Sequence, residues 1–138
     1  GVFNLTPAGS GWTIGTWQST GFSITKTITS GSIVMITLTA RIEGDNLNYC
    51  PPSSAYFRIV RGTTEIGRTG LQMRGTTSNP INFFYYLSSN LSMNFIDTGV
   101  SGSQTYTLEY WLANDNRACS AELVNIGERY FNLVELRP

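Results

Sequence analysis

The chain has no histidine and little charge of either sign. Charged residues make up 13% of its 138 positions, and the formal net charge is zero. Without His there is no Ser-His-Asp triad, no Cys-His pair and no His-ligated metal centre. Without net charge, nothing draws the chain to nucleic acid or to an acidic membrane surface. No apolar run is long enough for a transmembrane helix, and no signal-peptide pattern is present, so no membrane insertion is expected. Cysteine is scarce, with only Cys50 and Cys119. No window shows the apolar period of an amphipathic helix.

What is present points to strands and turns. Fourteen glycines and abundant Thr, Ser and Asn fit an all-β domain. A chain of this length reads as one domain, residues 1–138, large enough to bury a core. It opens on Gly1 rather than Met, which reads as a piece of something longer, or a processed product.

Strand-like windows follow one another. "GFSITKTI" sets Phe22, Ile24 and Ile28 against Ser23, Thr25 and Thr27, with Lys26 interrupting the apolar face. "SIVMITLTARI" sets Ile33, Met35 and Thr37 against Val34, Ile36 and Leu38. Between them "TSGS" (29–32) reads as a turn in which Gly31 takes positive φ. "AYFRIVRG" and "TEIGR" read as a hairpin bending at Gly62. "PINFFYYL" and "SMNFI" read as two strands around an "SSN" turn (88–90). "QTYTLEYWLA" alternates cleanly, with Tyr106, Leu108 and Tyr110 opposite Thr107 and Glu109. With the closing strand this makes about eight strands, the pattern of an antiparallel β-sandwich or jelly roll. "RGTT" recurs at 61–64 and 74–77, and both copies read as turn chemistry rather than an internal repeat.

Two connectors stand out, "EGDNLNYCPPSS" (43–54) and "NDNRACSAELVNIGE" (114–128). Polar connections of that length in a compact domain are usually functional or mobile. Each holds one cysteine. Cys50 and Cys119 are either two separate thiols or one disulfide, which would close a ring of about 70 residues and add about 3–4 kcal/mol. The segment "PAGSGWTIGTW" carries Trp12 and Trp17, which read as a plug for the open end of the sandwich or as packing on a neighbouring chain.

Catalytic signals are weak. Glu43, Asp45, Asp97, Asp115, Glu122 and Glu128 lie in or beside loops, but nothing pairs two of them across a cleft as a glycosidase needs. "DNLN" and "NDN" carry oxygen ligands suited to calcium yet match no EF-hand spacing, so they read as turn formers. The expectation is a non-enzyme with no cofactor and no metal. The sequons at Asn4 and Asn90 read as chance occurrences.

The last stretch, "YFNLVELRP", is apolar on both faces. Phe131 and Leu133 point one way, Val134 and Leu136 the other. A sheet with one wet face needs only one apolar side.

"SMNFIDTGVSGSQTYTLEYWLANDN" followed by "RYFNLVELRP" resembles the end of bacteriophage tail-fibre proteins. The carriers are the short apolar strand Phe95-Ile96, the turn Asp97-Thr98-Gly99, the strand Tyr106-Thr107-Leu108 and the triplet Val134-Glu135-Leu136. The family often has Pro where this chain has Gly99. The match covers about the last 45 residues. More distantly, the pattern is similar to the trimeric jelly rolls of the C1q and tumour-necrosis-factor type.

The resemblance implies a homotrimeric fibre tip on a virion, with residues 1–17 linking to a shaft. It implies binding to a bacterial surface polysaccharide or outer-membrane protein. Sister chains would cover the second face of the closing strand, making Phe131, Leu133, Val134, Glu135 and Leu136 the trimer interface. Glu135 would then need a partner, with Arg137, Arg129 or a neighbouring chain's Arg as candidates. Both chain ends would lie at the base. The connections 44–54 and 114–128 and the 88–90 turn would lie at the tip, which brings Cys50 and Cys119 to one end. The implied ligand contacts are Asn46, Asn48, Tyr49, Asn114, Asp115, Asn116 and Arg117. The alternatives are a trimerisation or capsid-decoration module without ligand, and a carbohydrate-binding module of an enzyme.

Overall fold

The structure, a computed structural model, describes residues 3–4, 16–46, 54–72, 85–113 and 123–138. These form strands and turns, with no helix among them. The strands are β1 (Phe3–Asn4), β2 (Gln18–Ile28), β3 (Ile33–Asn46), β4 (Ser54–Arg61), β5 (Thr64–Gln72), β6 (Tyr85–Thr98), β7 (Gly102–Ala113) and β8 (Leu123–Leu136). They build two antiparallel sheets. The front sheet has the order β1-β8-β3-β6 and the back sheet β2-β7-β4-β5.

Alternation decides which side chains meet between the sheets. From the front sheet come Val34, Ile36, Leu38 and Ala40 of β3, Leu91 and Met93 of β6, and Leu133 of β8. From the back sheet come Ile28, Phe57, Ile59, Tyr106, Leu108 and Tyr110. Phe22, Ile24, Ile66, Phe95 and Phe131 pack around this core while partly exposed. Phe95 reaches across to β5, where only a glycine fits: a Cβ on Gly67 would overlap the Phe95 ring.

The short turns gather at one end, with Pro138. Residues 29–32 join β2 to β3 through Gly31 at φ 84°, a value L side chains rarely adopt. Ser32 N donates to Thr29 O at 3.1 Å there. The first "RGTT" forms the β4–β5 turn, while the second lies outside the described residues. At the opposite end, β3, β5 and β7 stop and β4, β6 and β8 start.

Four readings of the sequence need correction. Residues 88–90 are not a turn. They pair with Glu43, Ile42 and Arg41 inside β6, which runs unbroken along β3 from Tyr85 to Thr98. "SSN" has no Gly or Pro to break the ladder, and β3 is long enough to pair with every residue. Second, the connectors 43–54 and 114–128 are shorter than they look, because β3 extends to Asn46 and β8 begins at Leu123. Third, the second arm of the hairpin runs on to Gln72. Fourth, β1 was not foreseen, and it does not sit at the Pro138 end. Phe3 pairs with Ile126 and Asn4 with Asn125, in the opposite third of β8. Pro138 lies beside Gly31. The pairing is antiparallel, so β1 runs away from the turn end. The count of eight holds because two expected strands merge and β1 replaces one of them.

Candidate ligand-binding and assembly faces

The outer face of the front sheet has two unlike halves. Register aligns its side chains in rows across β6, β3 and β8. Nearest the turns the rows are Thr98-Ile33-Leu136 and Ile96-Met35-Val134. Then come Asn94-Thr37-Asn132 and Ser92-Thr39-Tyr130. The five large apolar side chains of the first two rows are between 41% and 64% exposed. A cluster of that kind marks an interaction surface far better than scattered apolar residues do. The second two rows are polar except for the Tyr130 ring, itself 57% exposed.

A shallow groove of about 530 Å³ opens on the polar half. Thr39 and Arg41 of β3, Asn90 and Ser92 of β6, and Tyr130 of β8 line it. Beside it β8 bulges. Ala40 faces Arg129 but Ile42 faces Ile126, so two residues of β8 oppose one of β3. A bulge bends its strand and re-aims the neighbouring side chains.

The outer face of the back sheet is different. Tyr56 and Trp111 are direct cross-strand neighbours, with ring centroids 5.2 Å apart. Trp17 lies on the other side of Trp111, at 6.1 Å. Arg58 sits 4.3 Å from the centre of the Trp17 ring, a cation–π distance. The next row is ionic. Arg58 donates to Glu109 at 2.7 Å and to Glu65 at 3.2 Å, and Arg68 also donates to Glu65. The Arg68 hydrogen bond holds the Glu65 carboxyl below its ordinary value, against the effect of burial and with help from Arg58. The polar groups of this row are occupied with one another, whereas the buried Trp111 indole N–H has no acceptor among the described residues. Trp17 therefore covers the face of the back sheet and does not plug the open end. Trp12 lies outside the described residues.

Two further polar sites hold the fold together. Asp97 Oδ2 accepts from Arg61 Nε at 2.8 Å and from the Tyr106 phenol at 2.9 Å, which ties β6 to β4 and β7. This engages Asp97, one of the loop carboxylates considered for catalysis, in a structural link. Glu135 is nearly buried. Its Oε1 accepts from Thr29 N at 2.7 Å and Ser32 Oγ at 2.9 Å, and Arg137 lies 3.6 Å from its other oxygen. Of the partners considered for Glu135, Arg137 is present, but the turn 29–32 supplies the closer contacts.

The closing strand divides as its alternation suggests. Phe131, Leu133 and Glu135 face the chain's own sandwich, and Val134 and Leu136 face outward. Of the expected ligand contacts, Asn46 is the last residue of β3. Asn48, Tyr49, Asn114, Asp115, Asn116 and Arg117 lie outside the described residues, as do Cys50 and Cys119. The strands flanking both segments are neighbours, with Asp45 opposite Leu123 and Ser54 opposite Ala113. Glu43 and Asp45 belong to β3 and Glu128 to β8, while Asp115 and Glu122 are not described. Among the described residues no group of three or more His, Cys, Asp or Glu could hold a metal ion.

Sequence reasoning missed the Arg58-Glu109-Glu65-Arg68 network and the Arg61-Asp97 link. The Arg58–Glu109 and Arg61–Asp97 contacts join residues far apart in sequence that only the strand order brings together, whereas Glu65 meets Arg58 and Arg68 within the β4–β5 hairpin. No protein-family model, no curated protein and no solved structure matches the chain. It is a two-sheet antiparallel β-protein, consistent with a β-sandwich.

Proposed function

We propose that the chain is the receptor-binding domain of a bacteriophage tail fibre, a jelly roll assembling as a homotrimer at the fibre tip. The observation that carries this reading is the apolar half of the front sheet's outer face. Ile33, Met35, Ile96, Val134 and Leu136 are built as a continuous patch on rigid strands and are left uncovered. Covering five half-exposed side chains of this size is worth about 1 kcal/mol each. Three copies meeting through this patch would bury it without leaving an open-ended contact. The strand orders 1-8-3-6 and 2-7-4-5 support the jelly-roll reading, since that fold places eight strands in two such sheets. The resemblance of residues 92–138 to fibre ends supports the rest.

Three weak sites on one tip multiply into useful avidity. The ligand is a bacterial surface polysaccharide or outer-membrane protein. The proposed contacts are Asn46, the last residue of β3, together with Asn48, Tyr49, Asn114, Asp115, Asn116 and Arg117, which follow β3 and β7 in the sequence.

Size exclusion with light scattering tests the assembly, and adsorption of labelled protein to a panel of bacterial strains tests the receptor. The expected mass is three times the 15.2 kDa of one chain. A monomer at micromolar concentration would remove the trimer. A trimer that adsorbs to no strain would leave a structural module.

A further inference from the structure

The polar half of the front sheet carries features that assembly does not require. Ser92, Thr39 and Tyr130 form one row across three strands, and Asn90 pairs with Arg41 in the next. Ser92, Thr39, Tyr130 and Asn90 together offer three hydroxyls and an amide beside an exposed aromatic ring. Among the described residues, none donates to or accepts from the side chains of Thr39, Asn90, Ser92 or Tyr130. The back sheet is the internal contrast, because its Arg58, Glu65, Arg68 and Glu109 are joined to one another.

We propose that this groove is a saccharide-binding site, placed beside the subunit seam formed by the apolar half of the same face. The proposal rests on the receptor-binding reading and names a second part of the chain, besides Asn46 and the rest of the proposed contact set, that a surface glycan would touch. A pyranose has an apolar C–H face and a rim of hydroxyls. Tyr130 supplies a ring for the first, and Thr39, Asn90 and Ser92 supply donors and acceptors for the second. Among the described residues that line the groove there is no carboxylate to repel an acidic sugar. Because the strands are paired on both sides of Thr39, the groups are fixed before the ligand arrives, which limits the entropy lost on binding.

The test uses the whole chain with a panel of soluble sugars: glucose, galactose, rhamnose, N-acetylglucosamine, sialic acid and their common disaccharides. Binding is read by saturation-transfer NMR and by backbone amide shifts. At least one sugar should give saturation transfer and move the amides of Thr39, Arg41, Asn90, Ser92 and Tyr130. Tyr130→Ala should weaken that sugar about tenfold, the loss expected for one stacked ring. Asn90→Ala, which removes no ring, serves if Tyr130→Ala does not assemble, and should also weaken binding. Thr25→Ala, on the outer face of the back sheet, should leave binding unchanged. Three results would overturn the site: no saturation transfer from any sugar, shifts confined to other residues, or movement of the groove amides on dilution alone, which would make the groove part of the seam. Strain adsorption that survives Tyr130→Ala in an intact trimer also removes this site, while leaving receptor binding in place.

Discussion

Tyr106, the largest fully buried side chain among the described residues, points its phenol at Asp97 and donates to Oδ2 at 2.9 Å. Asp97 is nine residues away in sequence but on the other sheet, and Arg61 reaches the same oxygen. Tyr106→Phe keeps the ring and removes the donor, so it should cost about 1–3 kcal/mol. Asp97→Ala should cost more, because it strands both partners. Burial, then the hydrogen bond to Asp97, raise the Tyr106 pKa above its ordinary value of 10.0. The folded form therefore keeps a proton that the unfolded form loses in alkali. Stability should be steady below pH 10 and fall above it. Thermal melts from pH 8 upward check this, and Tyr106→Phe should show a shallower alkaline decline.

Glu135 gives the opposite dependence. The hydrogen bond from the Thr29 backbone, then that from Ser32, pull its pKa from 4.5 down to about 2. A depressed carboxylate stabilises the fold above its unfolded pKa, and that contribution disappears as pH falls from about 4.5 towards 2. The difference in Tm between the parent chain and Glu135→Gln should shrink across that window. A constant difference would show that the carboxylate's charge is not what binds the turn 29–32 to β8.

Neighbouring residues on β8 should behave in unlike ways. Leu133 is in the core, so Leu133→Asp places an unpaired charge between the sheets and should abolish folding. Val134 is 44% exposed, so Val134→Asp should leave a folded chain that no longer assembles. Circular dichroism and light scattering on both variants separate the two. Equal loss of structure in both would mean that the outward face is covered within one chain.

Gly67→Ala should destabilise by about 1–3 kcal/mol, as overpacking does, because the added methyl meets the Phe95 ring. Adding Phe95→Leu should recover part of the loss. Additive losses in the double variant would show that the two positions do not touch.

Strand character was readable wherever one face is buried. The alternation around Tyr106, Leu108 and Tyr110 and the run Val34, Ile36, Leu38 both lie as their pattern dictates. The turn at Gly31 was readable because it needs positive φ. What failed was local reasoning about polar strands. Ser88, Ser89 and Asn90 look like a turn because their residue types favour turns, yet fourteen consecutive pairings with β3 outweigh that preference. The groove was invisible for a related reason. Thr39, Ser92 and Tyr130 are far apart in sequence, and only the register aligns them. The Trp17 position depends on Trp111 and Arg58, which no local pattern links to it.

The position of β8 between β1 and β3 bears on how the molecule is made. Residues 123–136 supply the middle of the front sheet, while β2, β4, β5 and β7 need none of them to complete the back sheet. During synthesis all four back-sheet strands leave the ribosome before β8, the last strand of the front sheet. The β8-facing edge of β3 must then wait for residues 123–136, which also bring Leu133 and Phe131 to the core. Such long-range pairing is slow, and the waiting chain exposes apolar strands. Nascent chains stalled before residue 123 should therefore bind chaperones and be cut readily by protease, and release of the remaining residues should end both.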